Sequence, residues 1–213
     1  MELRHLFATG NVLGHTEAAP SSSKMMNGLS PGMSELQIHN ASKPTAAPHV
    51  KTSDPAVIRQ MLAIRGISFQ RWAADKPLAE GADQESILQA YAQELARVQA
   101  SGHYRTVDAI RITPDHPDRD SLRRTFLSEH SHADDEVRFF VEGRGLFCLH
   151  IGDEVVQVLC EANDWISIPA GIKHWFDMGS EPNFCAIRFF DNAEGWVAQF
   201  TGDVIAERFP LLE

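Results

Sequence analysis

Residues 129–143 read Glu-His-Ser-His-Ala-Asp-Asp-Glu-Val-Arg-Phe-Phe-Val-Glu-Gly, and this stretch decides the fold. On extended backbone successive side chains alternate, so His130 and His132 point to one face. Glu136 follows four residues later. Far downstream, Ile-Pro-Ala-Gly-Ile-Lys-His-Trp-Phe offers His174 as a fourth donor. Three imidazoles and one carboxylate form a borderline donor set that suits Fe, Ni, Co, Mn or Zn. A lone His-x-His is a weak signal, and His103, His116 and His150 are read as non-ligands. The joint pattern is stronger: His130-x-His132-x3-Glu136-x6-Gly143, then Asp164-x4-Pro169-x-Gly171-x2-His174. Separated elements must meet to bring residue 174 beside residues 130–136. A jelly-roll barrel with the site in its mouth does this.

Working outward, strand-like runs follow one another at short intervals: 125–132, 136–142, 145–151, 154–160, 164–168, 173–177 and 184–190. Turn residues separate them, among them Gly143-Arg144-Gly145, Gly152-Asp153, Asn163-Asp164 and Pro169-Ala170-Gly171. Many short strands with Gly, Asp and Pro turns indicate an antiparallel sandwich or barrel. Helix signals lie upstream. Ser53-Asp54-Pro55 starts one helix, which Gly66 ends. Asp83 caps a second, with Ile87, Leu88, Tyr91, Leu95 and Val98 as its apolar stripe and Gly102 at its close. Ile67, Phe69 and Trp72, and then 107–112, read as strands, 117–124 as a short polar helix and 204–209 as an amphipathic one. The class is therefore mainly β (α+β): an antiparallel β-barrel or jelly roll with a few flanking helices.

The chain has 213 residues, and its 29 acidic against 19 basic residues give a net charge of -10. That balance argues against nucleic acid and anionic membranes, which need clustered Lys and Arg. No apolar run approaches the roughly 20 residues of a membrane span. Cys148, Cys160 and Cys185 form no CxxC and match no zinc spacing; they read as buried free thiols in a reducing cytoplasm. Residues 1–32 carry small residues and prolines without periodicity, the mark of a disordered or non-native N-terminal extension. Met33 opens the alternating run Met-Ser-Glu-Leu-Gln-Ile-His. We expect translation to begin there and 33–213 to form a single domain.

The two histidine segments resemble the two motifs of the cupin superfamily. Within it, residues 129–153 and 174–202 resemble the bacterial acireductone dioxygenases, and the similarity runs from about Met33 to the C-terminus. Asn163 and Met178 depart from the general cupin second motif, which often begins with Gly and ends with Asn; this weakens the generic match only. The resemblance implies a cupin domain and a late step of methionine salvage. It implies cleavage of 1,2-dihydroxy-3-keto-5-methylthiopentene by O2, with one Fe(2+) or Ni(2+) per chain. The Fe form gives 4-methylthio-2-oxobutanoate and formate; the Ni form gives methylthiopropanoate, formate and CO. The ligands carry over to His130, His132, Glu136 and His174.

Arg138, two residues past Glu136, shares its face on a strand. The resemblance gives it the role of stabilising the substrate dianion; the plain alternative is a charge partner for Glu142 or an exposed strand arginine. It associates the positions of Glu129 and Asp135 with metal incorporation, against the alternative of ordinary carboxylates. Phe139, Phe140, Phe176 and Trp196 are candidates to line a pocket for the methylthio tail, or to be core. Arg188 either positions substrate or pairs with a carboxylate. The expected partners are the small-molecule substrate and O2, and the expected state is a cytoplasmic monomer. Two rival functions stay open: another cupin enzyme such as a sugar-phosphate isomerase, and a non-enzymatic cupin that binds a metal or small ligand.

Overall fold

The computed structural model of the chain describes residues 33–100, 104–191 and 197–213. The expected extension 1–32, Gly102, His103 and Trp196 lie outside the described residues. Two antiparallel sheets share one strand. The first runs in the order β4 (Thr106–Ile112), β10 (Phe184–Phe190), β6 (Glu136–Ile151), β8 (Asp164–Ile168) and β3 (Ser68–Arg71). The second runs β2 (Val50–Thr52), β1 (Glu35–Asn40), β7 (Glu154–Glu161), β6, β9 (Lys173–Asp177), β5 (His130–Ser131) and β11 (Gln199–Phe200).

β6 passes from one sheet to the other. Its first half pairs with β8 and β10, and its second half with β7 and β9. The crossing falls at Gly143, whose φ is +65°. A Cβ there would stand 1.8 Å from the Asn183 carbonyl oxygen, so the close approach of β10 requires glycine. Two strands were expected, 136–142 and 145–151, because Gly143-Arg144-Gly145 reads as a turn. The chain instead bends without breaking. A register shift opposite Cys185 and Ala186 adds to the bend.

The inner faces of the sheets meet over a core that includes Leu36, Ile38, Phe140, Phe147, Leu149, Ile166 and Phe176. This is the expected mainly β barrel with flanking helices. α1 (Pro55–Ala63) starts at Asp54, whose carboxylate accepts from the Ala56 and Val57 amides. The second expected helix is two, α2 (Gln84–Ala90) and α3 (Ala92–Gln99), with a break at Tyr91. Its predicted stripe holds all the same. Ile87, Tyr91, Leu95 and Val98 cover the outer face of the first sheet against Val137, Phe139 and Ile187.

The expected strand over 125–132 is a correction. α4 (Arg119–Phe126) continues through that start, burying Leu122 and Phe126 one turn apart. Hydrogen bonds from Leu127 N to Arg123 O and from Ser128 N to Thr125 O then close the helix. Only His130–Ser131 remains as strand. At the C-terminus the expected amphipathic helix is a short 3-10 turn, Ile205–Arg208. It packs with Phe209 on the outer face of the second sheet, against Cys148, Val155 and Trp175.

Candidate metal centre

At one end of the barrel interior the apolar core gives way to charge. His130 and His174 face each other across β5 and β9. Glu136 opens β6 opposite Ile168. The donor atoms of His130, His132, Glu136 and His174 all lie within 4.8 Å of one another, and all four residues are buried. The four residues proposed from spacing are therefore brought together.

The orientation of each imidazole is fixed from behind. His130 Nδ1 donates to the Ser128 carbonyl at 2.7 Å, His132 Nδ1 to the Val197 carbonyl at 3.1 Å, and His174 Nδ1 to the Ile172 carbonyl at 2.8 Å. A carbonyl only accepts, so each proton sits on Nδ1 and each Nε2 lone pair points inward. The Nε2 atoms of His174 and His132 then stand 2.7 and 3.2 Å from Glu136 Oε2. Lone pairs facing a carboxylate oxygen at such distances repel unless a cation is shared between them. Three neutral nitrogen donors and one anionic oxygen donor fit a divalent metal of borderline softness.

The electrostatics agree. Burial, with His174 nearby, pushes the His130 imidazole down to about 3, so it stays neutral and able to donate its lone pair. Burial alone would raise Glu136, but the Arg138 guanidinium and the histidines outweigh it and hold the carboxyl well below the usual range. Arg138 Nη2 lies 2.7 Å from Glu136 Oε1. Its guanidinium sits over the Phe176 ring at 4.5 Å and the Phe147 ring at 5.1 Å. The alternative partner Glu142 is engaged elsewhere, by Arg111 at 2.5 Å.

The remaining candidates divide. Phe140 and Phe176 lie inside the barrel, 6.3 Å apart between ring centroids. Phe139 does not join them: it alternates to the other face of β6 and packs on Trp72 and Tyr91 under the helices. Its neighbour in sequence gave no sign of this, since both are phenylalanines in one apolar run. Arg188 stands opposite Arg138 in the β10–β6 register. Its Nε and Nη2 bind the Asp108 carboxylate on β4 at 2.8 and 2.6 Å. Asp135 Oδ1 accepts from the Ala170 amide at 3.0 Å, and Gly171 N donates to the His132 carbonyl. These contacts tie the turn before His174 to the segment that carries the other ligands. Glu129 is buried and holds His150 and Thr201, two residues that no local motif marked.

The family model described as the ARD/ARD' family matches residues 35–198. The chain belongs to the ARD/ARD' family. An acireductone dioxygenase of Prochlorococcus marinus (strain MIT 9303) is 65% identical over 185 residues, covering 84% of this chain and 100% of that protein. One of Synechococcus sp. (strain RCC307) is 60% identical over 183 residues, covering 84% of this chain and 99% of that protein. Among solved structures, "Acireductone dioxygenase from Bacillus anthracis with cadmium ion in active center" superposes with a TM-score of 0.68 at 28% identity, covering 81% of this chain and all of that one. The barrel is thus the cupin-type fold of the ARD/ARD' family, with a buried three-histidine, one-glutamate cluster.

Proposed function

We infer that the chain is a metal-dependent dioxygenase that cleaves 1,2-dihydroxy-3-keto-5-methylthiopentene with O2 in methionine salvage. The observation that carries this reading is the buried His130–His132–Glu136–His174 cluster with Arg138 against Glu136, in a chain 60–65% identical to acireductone dioxygenases. His130, His132, Glu136 and His174 would hold one Fe(2+) or Ni(2+). Bound there, the metal supplies Lewis-acid and redox chemistry toward an electron-rich enediolate and O2.

The chain's own residues do the rest. The three carbonyl-locked imidazoles present Nε2 without prior reorganisation. Arg138 offers a fixed positive charge beside the cluster, where it favours the deprotonated substrate. Phe140 and Phe176 form an apolar floor behind it, which strengthens that charge by excluding water and suits a thioether tail. With Fe the products are 4-methylthio-2-oxobutanoate and formate; with Ni they are methylthiopropanoate, formate and CO. Either set balances substrate plus one O2. A reducing cytoplasm fits the three buried free cysteines, and no helix among the described residues is long and apolar enough to cross a membrane.

The deciding experiment strips the protein, reloads it with Fe(II) or Ni(II), supplies the acireductone in air and identifies the products. Formate with the keto acid from the Fe form, and CO from the Ni form, are expected. Metal binding without O2 uptake in either form overturns the reading and leaves the isomerase or ligand-binding alternatives.

A further inference from the structure

His130 lies on β5 and His132 just after it, and β5 is one of the two shortest strands of the second sheet among the described residues. β5 is two residues long. It joins β9 through the single pair His130–His174 and β11 through Ser131–Gln199 and His130–Phe200. Main-chain pairing of that extent does not by itself hold two side chains to the tolerance that metal ligation demands. Something else must fix β5, and the structure shows what it is.

Glu129, immediately before His130, is 1% exposed. Its Oε1 accepts from His150 Nδ1 at 2.6 Å and its Oε2 from the Thr201 hydroxyl at 2.6 Å. Its backbone carbonyl accepts from Thr201 N at 3.0 Å. His130 faces inward, so Glu129 faces out; Leu149 faces inward, so His150 faces out. His150 stands opposite Lys173 on β9, one residue before His174. The carboxylate therefore spans β9 on the face opposite His174 and ties β5 to β6. Through Thr201 it also ties down the strand end that follows Val197, whose carbonyl orients the His132 ring. One buried carboxylate thus links the segment that carries His130 to β6 and to the strand end that follows Val197.

We propose that His150 and Thr201 are positioning residues for the metal centre, acting through the Glu129 carboxylate as a strap across the back of β9. The proposal rests on the metal-centre reading above. His150 sits on the solvent side of the sheet with its side chain 17% exposed, so the strap is not part of the ligand shell. Both bonds are short, as hydrogen bonds to a carboxylate are. Groups that orient metal ligands from behind typically change metal affinity about 10- to 100-fold when removed.

The test is a Co(II) titration of the metal-free full-length chain, read by binding affinity and by the visible d–d spectrum, which reports ligand geometry. His150→Ala and Thr201→Val are each expected to bind Co(II) about 10- to 100-fold more weakly with an altered spectrum. His150→Gln, which keeps a donor toward Glu129, is expected to recover part of the affinity. Gln157→Ala removes a buried amide from the same outer face without touching the strap. It should leave affinity and spectrum unchanged even if it lowers the melting temperature. Affinity within twofold of the parent and an unchanged spectrum for Thr201→Val and His150→Ala, with a folded chain, overturn the strap. Should His150→Ala fail to fold, Thr201→Val decides. A parent that binds Co(II) but turns over no acireductone defeats the functional reading alone; a parent that binds no Co(II) defeats the metal centre and the strap together.

Discussion

At the scale of single residues the sequence is most informative where spacing and chemistry coincide. His130, His132 and Glu136 are legible because a period of two and a set of four donors leave few other uses for them. Arg138 is legible as sharing the face of Glu136, but its partner is not. Glu142 shares the same strand alternation, and only the register shift opposite Cys185 and Ala186 hands Glu142 to Arg111. Arg138 is 4% exposed and pressed on Phe176, so its charge is held in a site poor in water. A positioned charge of this kind contributes on the order of 2–4 kcal/mol to a transition state, or roughly 30- to 1000-fold in rate. Arg138→Ala should therefore keep one metal per chain while kcat/KM falls by about that factor, as measured by metal analysis and O2 uptake. Arg138→Lys should recover little, because an ammonium cannot both stack on the ring and reach Glu136 Oε1 as a planar fork does. A loss below about threefold for the alanine variant would make Arg138 structural only.

At the scale of elements, the strands flanked by strong turn residues are the ones the sequence places well. β8, β9 and β10 begin and end where Asn163, Pro169 to Gly171 and Asn183 say they should. The approach to β5 is misread because Thr125, Phe126 and Leu127 suit a strand as well as a helix, and tertiary burial of Leu122 and Phe126 decides for the helix. The C-terminal turn is misread for the opposite reason: its apolar spacing is helical, but it is too short to propagate. That turn seals the outer face of the second sheet over His39, which is 3% exposed and meets Phe209 edge-on at 5.7 Å. Burial lowers the His39 pKa below 6.5, against smaller upward pulls from the Ala46 backbone and the Gln157 side chain; His49 adds to the lowering. The sign follows directly. Above pH 6.5 both folded and unfolded states are neutral at this residue, and it contributes no pH dependence. Below 6.5 the unfolded chain takes up a proton that the folded chain resists, so stability falls as pH drops, by at most about 1.4 kcal/mol per pH unit for one group. Urea unfolding of His39→Phe should show a shallower loss between pH 6.5 and 5 than the parent. Parallel curves would mean that His39 titrates alike in both states.

At the scale of the whole molecule, the metal centre bridges the two sheets. Glu136 comes from the shared strand β6, His174 from β9, and His130 and His132 from the short β5 and the residues after it. The sequence showed that residues 130–136 and 174 must meet, but not that β5 is so short or that the Nδ1 bonds run to three separate carbonyls. Those carbonyls have no side-chain signature, so no reading of residue types finds them. A ligand set drawn from three elements exists only in the folded chain, so metal binding adds its free energy to folding. At a free metal concentration 100 times the Kd this amounts to about 2.7 kcal/mol. For a domain of this size that corresponds to a rise of roughly 5–10 °C in melting temperature. Thermal melts of the stripped protein with and without Ni(II) should show it, with no substrate present. His174→Ala should abolish the rise, because three donors no longer close the site. A metal-dependent rise that survives His174→Ala undiminished would place the stabilising ion outside this cluster and sever the link between the two sheets and the metal.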